Sequence, residues 1–264
     1  MSSYKPQLIT PFVSGLNTDD QPWLAPADSF SILNNFNVRH GYIERRDGVS
    51  LFALLDASLD PQLPIMGIFQ YLDATNVKSL IVFNTKSAYI LSVGETSVFT
   101  VIPNGTDIFT STDTDFIWAE SWQAVRDTAA NNKLYFTNGL PYNGTEDGIY
   151  YYSNTENIVS FIPNIGGGQK VYGCKLIFSF RNRLILLNTY EGSSPSGTNY
   201  PQRMRWCQSQ NPNPADTASG GWSDIVNGKG SFADAATGDH IISARALKDS
   251  IIVFFTDSVW KIVF

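Results

Sequence analysis

Charge is what this chain has least of. Only 16% of its 264 residues are Asp, Glu, Lys or Arg, against roughly a quarter in ordinary soluble domains. The balance is acidic, −6 with histidine neutral, which argues against a surface built to grip nucleic-acid phosphates. Histidine is scarcer still. His40 and His240 are the two, and neither sits in an HExxH or other metal-ligand spacing. The two cysteines, Cys174 and Cys207, form no CxxC pair and read as small buried hydrophobes. No apolar run approaches the roughly 20 residues that cross a bilayer, so no membrane insertion is expected. The first residues show no charged start followed by an apolar core, so no secretion signal is expected. Without one, the sequons Asn104-Gly105-Thr106 and Asn143-Gly144-Thr145 read as turns.

Catalytic signatures are missing as well. A Gly-x-Ser-x-Gly elbow does not occur. Gly166-Gly167-Gly168 lacks the Lys-Ser/Thr and the helix that a phosphate loop needs, and reads as a flexible connector. Asp107, Asp113 and Asp115 lack the glycine and terminal glutamate of a calcium loop. The acid pairs Asp19-Asp20 and Glu146-Asp147 fall in loop-like stretches, where a glycosidase pair would need a cleft between them. The expectation is a chain without enzymatic activity, cofactor or metal.

Aromatic side chains, by contrast, are abundant: 17 Phe, 12 Tyr and 6 Trp. With the β-branched residues they favour sheets. Apolar strands separated by polar turns fall in four groups. The first covers residues 65–102, the second 116–162, the third starts at Val171 and the fourth at His240. Each carries a hairpin plan, as in SLIVFNTKSAYIL, KLYFTNG…GIYYY, NRLILLNTY…QRMRWCQ and SIIVFFTDSVWKIVF. They recur at roughly fifty residues, a blade-like spacing. The predicted fold class is all-β, with β-propeller-like blades of antiparallel strands. A β-sandwich of look-alike hairpins is the alternative. Trp118, Trp122, Trp206, Trp222 and Trp260 are expected in the core.

Residues 15–48 differ in texture. Gly15 and Asn17 bring turn chemistry, and residues 20–26 are rich in acid and proline. Trp23 and Leu24 are expected anchors. Asp28 or Ser29 is placed to cap a short helix through Leu33. Phe36 and Val38 alternate with Asn35, Asn37 and Arg39, which predicts a strand with one buried face. A tight turn at His40-Gly41 leads to a return strand ending at Arg45-Arg46-Asp47-Gly48, with Gly41 and Gly48 suited to positive φ.

The order of Gly15, Asn17, Asp20, Pro22, Asn34, Asn35, Gly41, Arg45, Arg46 and Gly48 resembles the N-terminal segment of bacteriophage tail and neck proteins. These are the tail nozzle and tubular proteins of short-tailed phages and related virion-stabilising ring proteins. Asp47 stands where many of them carry proline. A second segment resembles the same family: Arg181, Asn182, Arg183 and Leu184, then a loop, then Pro201, Arg203, Arg205, Trp206, Ser209, Pro212 and Trp222. Cys207 stands where a serine is common.

The resemblance implies a structural protein of the phage tail or neck, made in the host cytoplasm and ending in the virion. Copies would form a ring with portal, adaptor or other tail proteins. Double-stranded DNA would pass through without specific binding. Residues 1–63 would be a docking arm with its hairpin and residues 64–264 the propeller-like body. Asn34, Asn35, Gly41, Arg45, Arg46, Gly48, Arg203 and Arg205 are the candidate docking residues, the arginines pairing with carboxylates of a neighbouring subunit. The chain stops at Phe264 inside what reads as a hydrophobic strand, and four blades are few for a closed ring. A longer polypeptide is therefore expected. The alternative function is a carbohydrate- or receptor-binding β-propeller module.

Overall fold

The computed structural model describes residues 14–21, 23–26, 28–32, 34, 36–39, 42–45, 52–55, 63–73, 75–91, 98–123, 132–215 and 220–263. These residues form strands and turns and no helix, as the aromatic and β-branched content predicts. The chain divides into two compact units, Met1–Leu51 and Phe52–Phe264. The division falls earlier than the 63/64 boundary expected from sequence, because the short strand β5 (Leu54–Leu55) pairs in parallel with β9 (Val98–Val101) of the larger unit.

In the small unit, β1 (Gly15–Leu16) pairs in parallel with β2 (Ser29–Phe30). The expected helix after Asp28 is not there. The Asp28 carboxylate accepts from the Ser14 amide and hydroxyl, so it is not spent on a helix N-terminus, and Ser29–Phe30 extends instead. The predicted hairpin is present: β3 (Phe36–Arg39) lies antiparallel to β4 (Tyr42–Arg45), with Val38 opposite Ile43. Its apolar face is open rather than buried, with Phe36 and Ile43 both exposed.

The large unit is a stack of four antiparallel meanders. The first sheet runs β6 (Ile65–Leu72), β7 (Lys78–Asn84), β8 (Ala88–Leu91) and β9, with β5 on its outer edge. The second is β10 (Trp118–Trp122), β11 (Lys133–Thr137), β12 (Ile149–Ser153) and β13 (Asn157–Ser160). The third is β14 (Asn164–Gly166), β15 (Gln169–Phe180), β16 (Arg183–Gly192), β17 (Thr198–Trp206) and β18 (Ser231–Asp234). The fourth has three strands, β19 (Ile241–Leu247), β20 (Ser250–Phe255) and β21 (Val259–Val263). These sheets match the four groups read from the sequence. The leading strands are neighbours: β10 lies against both β6 and β15, and β15 against β19. That is the radial order of propeller blades.

The core explains why these strands are apolar at nearly every position. Successive side chains leave a strand on opposite faces, and here both faces are covered. Leu134 and Phe136 of β11 enter the cluster between the first and second sheets, while Tyr135 enters the one between the second and third. Leu184 and Leu186 of β16 face the second sheet, and Ile185 and Leu187 face the fourth. All four are fully buried. At about 1.5–3 kcal/mol for each buried side chain of this size, the inter-sheet seams hold the stack together. Trp122 and Trp222 are buried as expected, Trp118 and Trp206 are half-buried, and Trp260 is exposed. Among the described residues no core cluster joins the fourth sheet to the first, so the stack is open.

Turn chemistry is local and strict. Arg181 and Asn182 form the two-residue turn between β15 and β16, both at positive φ (46° and 59°), which suits the twist of a tight hairpin. Gly167 and Gly168 connect β14 to β15 by a tight turn at positive φ rather than a flexible link. The Asn143 side-chain oxygen accepts from the Thr145 and Glu146 amides, an Asx turn at one of the two sequons.

Candidate functional site

The residues of the second motif converge on the third sheet. Across the β16–β17–β18 register, Arg203 stands opposite Asp234 and Arg205 opposite Phe232. Arg205 grips Glu191 with two bonds, Nε to Oε1 at 2.9 Å and Nη2 to Oε2 at 2.7 Å. Its Nη1 reaches Asp224 at 3.3 Å. Arg203 donates to Glu191 at 2.9 Å and forks onto Asp234 with two bonds of 2.7 Å. The Thr189 hydroxyl adds a bond of 2.6 Å to Glu191. Both guanidinium groups lie over the Phe232 ring, and Arg203 also over Tyr200 at 3.8 Å.

Two cations and three carboxylates therefore form one network with a net charge of −1. Burial pushes the Glu191 carboxyl up, but hydrogen bonds and charge from Arg205, then Thr189 and Arg203, outweigh it and hold the group below the usual carboxylate range. Asp234 is lowered chiefly by its hydrogen bonds to Arg203, and Arg203 is raised by the same partners. Arg205 has a side-chain exposure of 1% and Arg203 of 11%. The carboxylate pairing expected from the sequence exists, but the partners lie in the same chain. Buried and fully engaged, these two arginines have little to offer a neighbouring subunit.

The rest of the second motif serves the same sheet. Arg183 Nη1 donates to the Cys207 carbonyl at 2.6 Å. The Leu184 amide donates to the Cys207 sulfur. Trp222 Nε1 donates to the Pro212 carbonyl at 2.8 Å. Cys174 and Cys207 are free and buried.

The docking residues of the first motif fall in the small unit. Asn34 is exposed, and Arg45 is exposed at the end of β4. Asn35, Gly41, Arg46 and Gly48 lie outside the described residues. What the sequence reading missed here is the surface around them. Trp23, expected as an anchor, is 76% exposed, with Leu24 at 69% and Ile32 at 74%. An exposed apolar cluster of this kind marks a surface made for contact.

A cavity of about 410 Å³ opens where Trp122, Lys133, Tyr151 and Glu156 meet. Lys133 Nζ is 2.9 Å from Glu156 Oε2 and 3.7 Å above the centre of the Tyr151 ring. Tyr151 donates to Glu156 Oε1 at 3.0 Å. Burial pushes the Glu156 carboxyl up, but Lys133, then Tyr151 and Ser153, outweigh it and keep the group low. A carboxylate held ionised among donors is not a general acid. Among the described residues no group of His, Cys, Asp or Glu could hold a metal ion, and no helix is long and apolar enough to cross a membrane. His240 is exposed, and its carbonyl accepts from the Thr256 amide.

No protein-family model, curated protein or solved structure matches this chain.

Proposed function

We propose that this chain is a non-enzymatic structural component of a tailed phage, assembling with copies of itself into a ring in the tail or neck. The ring extends the portal channel and retains, then conducts, the genome. The observation that carries this reading is the occurrence of two phage-like motifs in one chain and in order, Gly15 to Gly48 and Arg181 to Trp222. Two features are consistent with it. The second motif is the internal skeleton of a rigid sheet, which suits a load-bearing body. The first sits in a unit whose large apolar side chains stand open, which suits docking onto a portal, adaptor or other tail protein. A closed ring of rigid bodies makes a tube, and a net charge of −6 repels a polyanion, so DNA slides without sticking.

The test is electron microscopy of the protein mixed with virion particles that lack it. Rings docked at the unique vertex are expected. Monomers that leave the particles unchanged would overturn the reading.

The cavity beside Glu156 keeps a carbohydrate-binding module as a second reading. It is the weaker one. Trp122, Tyr135 and Phe161 are core residues there, and Lys133 already covers the Tyr151 ring face, so no free platform faces a sugar. Binding on a glycan array by a monomer would reverse this order.

A further inference from the structure

The fourth sheet is one strand short. In the first three sheets the meander continues to an outer strand, β9, β13 and β18 respectively. In the fourth it stops at β21, and among the described residues nothing pairs with the outer edge of that strand. The place is not filled by side chains. A groove of about 440 Å³ runs there between the outer strands of the third sheet and β21. Met204, Trp206 and Ala235 line one wall, and Phe255, Trp260 and Ile262 the other. Its walls continue the seam between the third and fourth sheets.

The backbone of β21 is set to receive a strand. The Phe255 amide donates to the Ser258 carbonyl, so that pair is hydrogen-bonded. Pairs along an antiparallel ladder alternate. With Val253 opposite Trp260 and Ile252 opposite Lys261, the amides and carbonyls of Val259, Lys261 and Val263 point away from β20 to the open edge. Such an edge recruits another extended segment. A strand at the usual spacing of about 4.8 Å would lie over the groove and send alternate side chains into it.

The chain itself shows what kind of segment fits. The outer strands of the first two sheets belong to Val98-Phe99-Thr100-Val101-Ile102-Pro103 and Ile158-Val159-Ser160-Phe161-Ile162-Pro163. Both read apolar, apolar, hydroxyl, apolar, isoleucine, proline. Both bury residues in the seams they border, Ile102 and Ile158 in one and Phe161 in the next.

We infer that the open edge of β21 is a strand-accepting site for an extended segment of a partner polypeptide, bound antiparallel, with alternate apolar side chains seated between Met204, Trp206 and Trp260. This inference does not depend on the ring assignment.

The probe is a capped synthetic peptide with the sequence of residues 156–164, ENIVSFIPN, titrated into the full chain. Tryptophan emission is the readout, since Trp206 and Trp260 line the groove. Saturable binding is expected, weakened at least tenfold by Lys261→Pro. The Lys261 amide points outward, so proline there blocks the edge without deleting a bond to β20. A peptide of the same composition with its apolar residues moved to adjacent positions is expected not to bind. Hydrogen exchange on the unaltered protein gives a second readout, should Lys261→Pro fail to fold. The amides of Val259, Lys261 and Val263 are expected to slow when peptide is added. Absent binding, equal binding by the variant or the rearranged peptide, or unchanged exchange would each overturn the proposal. Self-association in sedimentation that Lys261→Pro abolishes would overturn the partner assignment and give the edge to a second copy.

Discussion

Replacing Arg205 with methionine separates two roles for the second motif. The guanidinium is 1% exposed and makes two bonds to Glu191 and one to Asp224. Methionine keeps most of the stem and removes the charge. Glu191, whose side chain is 5% exposed, would then retain only Arg203 Nη1 and the Thr189 hydroxyl. Breaking a buried pair by removing one partner costs about 3–5 kcal/mol, because the other charge stays buried. The retained bonds from Arg203 and Thr189 put the expectation near the lower end, about 3 kcal/mol. For a body of this size that lowers the melting temperature by roughly 6–12 °C. Urea unfolding followed by tryptophan emission measures it, and the Arg205→Met, Glu191→Leu double variant closes the cycle. The double variant is expected to recover part of the loss, since it removes the orphaned carboxylate as well. A loss below about 1 kcal/mol, or a variant of normal stability that fails to assemble, would refute the structural role and return Arg205 to subunit docking.

The acid limb of stability follows from the same network. Glu191 and Asp234 have folded pKa values below their unfolded ones. Their contribution is complete above the ordinary carboxylate range, about pH 4–4.5, and disappears as pH falls through the depressed folded values. Urea midpoints between pH 6 and pH 3 should fall less steeply in Arg205→Met than in the parent. Burial pushes the Cys207 thiol up to about 12 and Cys174 well above its usual range. Neither should react with Ellman's reagent in the folded protein at pH 8, and both should react after unfolding; a native disulfide would contradict this. At the β15–β16 turn, Asn182→Gly should be neutral or slightly stabilising and Asn182→Val should lose about 1–3 kcal/mol, as read from urea midpoints. Paired Trp23→Glu and Leu24→Glu changes should leave the unfolding of the body unaltered while reducing attachment to particles in the microscopy assay.

Local sequence determined the strands, the four-group rhythm and the turns. Alternation and apolar runs act over a few residues, and a turn such as Arg181-Asn182 is decided by its own backbone preferences. The cysteines were legible as buried for the same reason, since nothing nearby offers them a metal or redox role. Helix capping at Asp28 was misread because Ser14, fourteen positions earlier, competes for the same carboxylate. Only tertiary structure decided which face of each strand meets which sheet. Tyr135 and Phe136 are neighbours in sequence and lie in different seams. The fate of Arg203 and Arg205 was equally out of reach. Glu191 and Asp234 come to them through the register of three strands, and desolvation then turns two ordinary charges into one closed network. The open edge of β21 is likewise a property of the stack, because a missing neighbour leaves no mark on the residues that lack it.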